Sequence, residues 1–275
     1  MDIDSLIHGL STIIEVDFGA EETQGSGFFY FQLAPRDPAQ KEGQWRKVES
    51  IWLITNRHVL LPKDQDDSEI QPKALTFRIR TTRNNTLSWE SVTIPEPELL
   101  KRARVHQNPV IDICAIDIYS FMTKQEVPLA WQAVSSEHHA GRNKITMHVA
   151  SDAVVIGYPM GFYDEVNLFP VLKSGIIASR WGSNFQGLPC FLIDAKLFPG
   201  SSGSIVISKP VDVVVENGQI FHAKEKQFAL LGVYSGEYGT SQEGESFNVG
   251  IVWYGYLIDE IIESGTPLTN LSLIN

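Results

Sequence analysis

Phe198-Pro199-Gly200-Ser201-Ser202-Gly203-Ser204 runs directly into Ile205-Val206-Ile207, so a turn of small residues opens onto a β-branched apolar strand. Two glycines in such a turn let the backbone approach a reacting carbonyl closely. The amides of Gly200 and Ser202, with that of Ser201 between them, are candidate donors to an oxyanion. Ser202 is the candidate nucleophile. A serine hydroxyl is inert near neutral pH until a base takes its proton, so the turn requires a histidine within hydrogen-bond reach and an acid that orients it.

Seven histidines are available. His8 lies in a polar amphipathic start, His106 in a basic stretch before Pro109, His138 and His139 in a segment without strand periodicity, and His148 and His222 in loop-like contexts. His58 differs because it follows the apolar run ending Ile54-Thr55-Asn56-Arg57, where a rigid strand can fix a side chain that faces a cleft. For the acid, Asp112 enters the apolar run Ile111-Asp112-Ile113-Cys114-Ala115-Ile116, and a carboxylate placed there calls for a partner. Asp117 is the rival. Five residues of strand put the two on opposite faces, and spacing alone does not choose between them.

The elements that must position these groups alternate like strands. Thr12 to Phe18, Gly25 to Leu33 and Val48 to Thr55 come first. Ala74 to Thr82 and Thr86 to Ile94 follow, flanking the hairpin turn Asn84-Asn85. After the run containing Asp112, residues 119–150 lack strand periodicity, with a short helix expected from Ser120. A second series begins at Asp152 and runs through Val154-Val155-Ile156, 170–179, 190–197, 205–208, 228–234 and 247–253. Apolar residues at helical spacing in Tyr256 to Ile262, with Gly265 just beyond, predict a closing helix. The expectation is an all-β chain of two halves with about six strands each and a C-terminal helix, divided as residues 1–120, a connector 121–151, and residues 152–275.

Composition narrows the partners. A net charge of −11 argues against nucleic acid, which wants a basic face. The opening Met1-Asp2-Ile3-Asp4 has acid where a secretory leader carries Lys or Arg, and no apolar run is long enough to span a bilayer, so no membrane partner is expected. Cys114 and Cys190 both sit in apolar runs, as buried reduced thiols of a cytoplasmic protein do. The histidines and cysteines lack metal-ligand spacing, so neither a metal nor another cofactor is expected.

Several stretches in one order resemble the trypsin-like (chymotrypsin-fold) serine proteases, most closely the bacterial high-temperature-requirement type without a C-terminal peptide-binding module. They are Gly25-Ser26-Gly27-Phe28, Ile54 to Val59, Asp112 to Ile116, Gly157-Tyr158-Pro159-Met160-Gly161, Ser174 to Ser179, Asp194 to Ser204 and Asn248-Val249-Gly250-Ile251. The resemblance implies two six-stranded antiparallel β-barrels, over residues 1–120 and 152–275, with His58 as general base, Asp112 as orienting acid and Ser202 as nucleophile. It places Lys196 at the floor of the primary specificity pocket, with Phe198, Val233, Tyr234 and Ser235 as walls. An inward Lys196 would favour an acidic residue before the cut, whereas an outward one leaves a small apolar pocket. Ser204 stands where the family usually has glycine, and a collapsed oxyanion hole is one consequence to check. The lipase elbow G-x-S-x-G fails here, because position 204 is Ser and only His222 follows Ser202. The expected activity is endopeptidase cleavage of a protein or peptide substrate, either of narrow specificity or regulated by a protein partner. The alternative is a catalytically silent binding or scaffold protein of the same fold.

Overall fold

A computed structural model describes residues 3–39, 46–83, 86–124, 131–216, 219–239 and 247–273 of the chain. The turn residues Asn84 and Asn85 lie outside the described residues.

The alternation read from sequence sets the faces of the strands. In strand Ser11–Asp17, Ile14 and Val16 are buried while Glu15 between them turns outward and pairs with Arg78 at 2.7 Å. That strand lies in a nine-stranded sheet built almost wholly from the first half of the chain, together with Glu22–Leu33, Val48–Thr55, Ala74–Arg83, Thr86–Pro95, Ala103–Val105 and Cys114–Asp117. Two short strands from elsewhere complete it. Val134–Ser135 pairs parallel with Glu22–Leu33, and Thr266–Pro267 pairs with Ala103–Val105.

Six strands of the second half close into a barrel: Asp152–Gly157, Val171–Ile177, Cys190–Asp194, Ile205–Ser208, Leu230–Glu237 and Val249–Tyr254. Strands Val211–Glu216 and Gln219–Gln227 pair with each other as a separate two-stranded sheet. The chymotrypsin-like, all-β architecture with a C-terminal helix expected from the sequence is therefore the one adopted. The first half carries it as a nine-stranded sheet.

One core cluster joins the halves. Phe28, Tyr30, Ile54 and Ile113 from the first pack with Ile205, Val233 and Trp253 from the second. Helix Tyr256–Ser264 adds Leu257, Ile258, Ile261 and Ile262 to the same cluster. Each such side chain contributes about 1.5–3 kcal/mol by leaving water, so parting the halves would be costly. Polar contacts tie the same layers. The Tyr30 hydroxyl donates to Asp259 Oδ1 at 2.5 Å and lies 3.2 Å from His139 Nε2, linking sheet, connector and helix. Both cysteines are free and buried, and burial pushes the Cys114 thiol up to about 12. No helix among the described residues is long and apolar enough to cross a membrane.

Candidate active site

Strand Val48–Thr55 ends in a single helical turn, Arg57–Leu60, that carries His58 out to the seam between the halves. Asn56 is fully buried, and its side-chain amide donates to the Asp112 carbonyl at 2.6 Å, fixing the two segments to one another. Asp112 lies just before strand Cys114–Asp117 rather than within it. Its Oδ1 accepts the His58 backbone N–H at 2.9 Å, and its Oδ2 lies 2.6 Å from His58 Nδ1. An ionised carboxylate only accepts, so Nδ1 donates and Nε2 is left as the basic nitrogen facing away. Asp117 is occupied elsewhere, its Oδ1 accepting the Tyr119 N–H at 2.9 Å.

Ser202 reaches the same seam from the second barrel. Its hydroxyl donates to the Ser235 carbonyl at 3.0 Å, while the Ser235 hydroxyl donates to Asp112 Oδ2 at 2.5 Å. Serine, histidine and aspartate thus converge, and among the described residues Ser202 is not hydrogen-bonded to His58.

The turn itself can be accounted for bond by bond. The Pro199 carbonyl accepts the Met160 N–H at 2.6 Å, the Ser201 carbonyl accepts the Ser204 N–H at 3.0 Å, and the Ser202 carbonyl accepts the Ser26 N–H at 2.8 Å. The Gly200 carbonyl accepts the Ser26 hydroxyl at 2.8 Å. Of the amides, Ser201 donates to Phe198 at 3.1 Å and Gly203 to Tyr234 at 2.9 Å. Those of Gly200 and Ser202 have no acceptor among the described residues. A trans peptide holds its N–H opposite its C=O, so pinning the Pro199 and Ser201 carbonyls sets where these two amides point. The Ser201 amide, expected among the donors, is consumed inside the turn.

Gly200 has a φ of 83°, and a Cβ there would stand 2.9 Å from the Met160 nitrogen. Ser204 needs no such freedom, since its φ is not positive. Its buried hydroxyl instead occupies the space left by Gly157, where a Cβ would come 1.9 Å from it.

The family described as Trypsin-like peptidase domain matches residues 25–215, which contain all three converging residues. The chain belongs to that family.

Solved structures agree on the fold of this trypsin-like domain. An HtrA-type protease determined with a tripeptide is 16% identical with a TM-score of 0.52, over 95% of this chain and 61% of that one. The chain therefore spans less than two thirds of that protein. Protease Anisep from Arthrobacter nicotinovorans is 12% identical, with a TM-score of 0.51 over 92% and 93% of the two chains. A scabies mite inactivated protease paralogue is 13% identical, with a TM-score of 0.50 over 96% and 99%. No curated protein matches the sequence.

Beside Ser202 the trypsin-like domain opens a cavity of about 500 Å³ lined by Lys196, Phe198, Tyr234, Glu237 and Asn248. Lys196 Nζ sits 5.9 Å from the centroid of the Phe198 ring, with Lys173 Nζ 5.3 Å from the same ring. Two residues expected in the wall stand elsewhere. Val233 is fully buried in the shared core, and Ser235 turns its hydroxyl to Asp112. The role of Ser235 carries no local signal in the sequence, because it depends on a carboxylate 123 residues away. A larger cavity of about 950 Å³ lies away from Ser202, between the connector and hairpin 211–227; it contains Arg36 and Arg46, both paired with Glu137.

Proposed function

We propose that this chain is a serine endopeptidase acting through His58, Asp112 and Ser202. The reading is carried by the way the serine turn leaves the Gly200 and Ser202 amides next to Ser202 without acceptors among the described residues, across the seam from a His58–Asp112 pair bonded twice. For the reaction Ser202 Oγ leaves the Ser235 carbonyl and donates to His58 Nε2, a change made by rotation about Cα–Cβ between ordinary staggered wells. Ser202 Oγ then bonds to the scissile carbonyl carbon as Nε2 takes the hydroxyl proton. The carbonyl oxygen becomes an oxyanion held by the amides of Gly200 and Ser202, an arrangement in which removal of one donor costs about 2.7–4 kcal/mol. The C–N bond breaks, His58 gives its proton to the leaving amine, and water hydrolyses the acyl-serine by the reverse sequence. Asp112 stays ionised and stabilises the imidazolium. The substrate is a protein or peptide laid along the seam, its side chain before the cut entering the cavity at Lys196 and Phe198.

A peptidyl phosphonate compared between the parent and Ser202→Ala tests this directly. Covalent labelling of the parent at Ser202, absent from the variant, is the expected result. A parent left unlabelled by phosphonates carrying acidic, basic and apolar side chains would instead make the chain a silent binding protein.

A further inference from the structure

Ser26 lies in strand Glu22–Leu33 of the N-terminal sheet, on the opposite side of the seam from Ser202, and is fully buried. Every polar group it has is used on a different segment. Its N–H donates to the Ser202 carbonyl at 2.8 Å, and its hydroxyl donates to the Gly200 carbonyl at 2.8 Å. The same hydroxyl oxygen accepts the Tyr158 N–H at 2.9 Å, and the Ser26 carbonyl accepts the Thr55 hydroxyl at 2.9 Å. Tyr158 begins the turn whose Met160 N–H pins Pro199, and Thr55 ends the strand that carries His58.

The four peptide planes from Pro199 to Gly203 alternate in role. The Pro199–Gly200 and Ser201–Ser202 planes present the two amides that lack an acceptor among the described residues, and each is followed by a plane that Ser26 holds, Gly200–Ser201 and Ser202–Gly203. Each oxyanion plane shares a Cα with a plane that Ser26 holds, so anchoring those planes fixes the points about which an oxyanion plane could turn. Gly203 closes the fit. Its φ is 84°, and a Cβ there would come 2.1 Å from the Ser26 carbonyl oxygen and 2.5 Å from the Thr55 hydroxyl.

We infer that Ser26 is a positioning residue that sets the oxyanion amides from the opposite half of the molecule, so that the donors are oriented only when the N-terminal sheet is docked on the serine turn. The inference rests on the endopeptidase reading for its effect on turnover, but not for its effect on the turn. Removing the hydroxyl leaves the buried Tyr158 N–H and the part-buried Gly200 carbonyl without that partner, a change that loosens the turn. Ser204→Ala is the matched control, since it deletes a buried hydroxyl on the turn that has no partner among the described residues.

The first measurement is amide hydrogen exchange over residues 198–204, made in a Ser202→Ala background so that activity plays no part. Ser26→Ala is expected to speed exchange of the Ser201, Gly203 and Ser204 amides about tenfold or more, with Ser204→Ala within about twofold of the background. Equal exchange in the two variants overturns the inference, whether or not the protein proves to be a peptidase. The second measurement is kinetic, with Ser202 intact. Ser26→Ala should lower kcat about 10- to 100-fold with KM nearly unchanged, because an oxyanion donor acts on the transition state and not on substrate binding. A rise in KM alone, or an unaltered kcat, also overturns it. If Ser26→Ala does not fold, Ser26→Cys supplies the same comparisons through a weaker donor of similar shape.

Discussion

The hydroxyl of Ser235 donates to the carboxylate of Asp112 at 2.5 Å, across the seam between the two halves. Among the described residues the Asp112 carboxylate therefore accepts three hydrogen bonds, two from His58 and one from the second barrel. The orientation of the histidine in one half is thereby tied to the docking of the other. A hydrogen bond to a charged group contributes about 1.5–3 kcal/mol, so Ser235→Ala should lower kcat/KM about 10- to 100-fold. Asp112→Asn should lower kcat by about four orders of magnitude, through the wrong imidazole tautomer. Steady-state kinetics on one peptide measures both, and equal losses would contradict an accessory place for Ser235.

Gly200 gives the second expectation. Its φ is positive, and an alanine Cβ would stand only 2.9 Å from the Met160 nitrogen, so Gly200→Ala must shift the plane bearing one oxyanion donor. Losing such a donor costs about 10²- to 10³-fold in kcat. Binding of a peptide aldehyde, which forms the oxyanion, should weaken along with kcat, while a peptide product inhibitor should bind as before. Parallel weakening of both inhibitors would point to a collapsed cleft instead.

The cavity beside Ser202 holds opposite charges, Lys196 and Glu237. The ammonium of Lys196 lies over the Phe198 ring, 5.9 Å from its centroid. A preference for an acidic side chain before the cut is expected. Lys196→Ala should reduce the acidic-to-apolar ratio of kcat/KM about tenfold, and Glu237→Gln should raise it. A peptide library varied at that one residue reads both shifts; a profile unchanged by either substitution would place the side chain outside this cavity.

A further consequence concerns stability against pH. Burial, reinforced by Arg142 and His138, pushes the His139 imidazole down to about 3. Between about pH 6.5 and about 3 the unfolded chain binds a proton at His139 that the folded chain refuses. The stability linked to His139 is therefore complete above the upper value and is lost as the pH falls through that window. Asp259 acts with the opposite sign, since burial raises it against the pull of Tyr30 and Arg142. Its contribution is present in acid and is lost as the pH rises past its folded value. His139→Gln removes the first effect, so its Tm should fall less steeply than the parent's from pH 7 to about pH 4. Parallel Tm curves would show that His139 is protonated in the folded state.

The sequence alone determined residue types, faces and turns. Alternation along strands such as Ile14-Glu15-Val16 fixes which side chains turn inward, and glycines at 200 and 203 mark a backbone that takes positive φ. Both signals are local, since strand period and turn chemistry are properties of a few adjacent residues. The order of His58, Asp112 and Ser202 among flanking stretches was legible for the same reason.

Pairing across the chain was not legible. Asp112 and Asp117 are equivalent by spacing, and only the tertiary structure puts the first against His58, 54 residues away, and the second against its own neighbour Tyr119. Ser235 and Val233 sit two residues apart on one strand, yet a bulge after Tyr234 and the docking of the first half send one to Asp112 and the other into the core. Ser26 had no assignable role until the fold set its hydroxyl on the carbonyl of Gly200, 174 residues further on. Such contacts arise from how whole layers pack, and a period of two or 3.6 residues carries no record of a partner that distant.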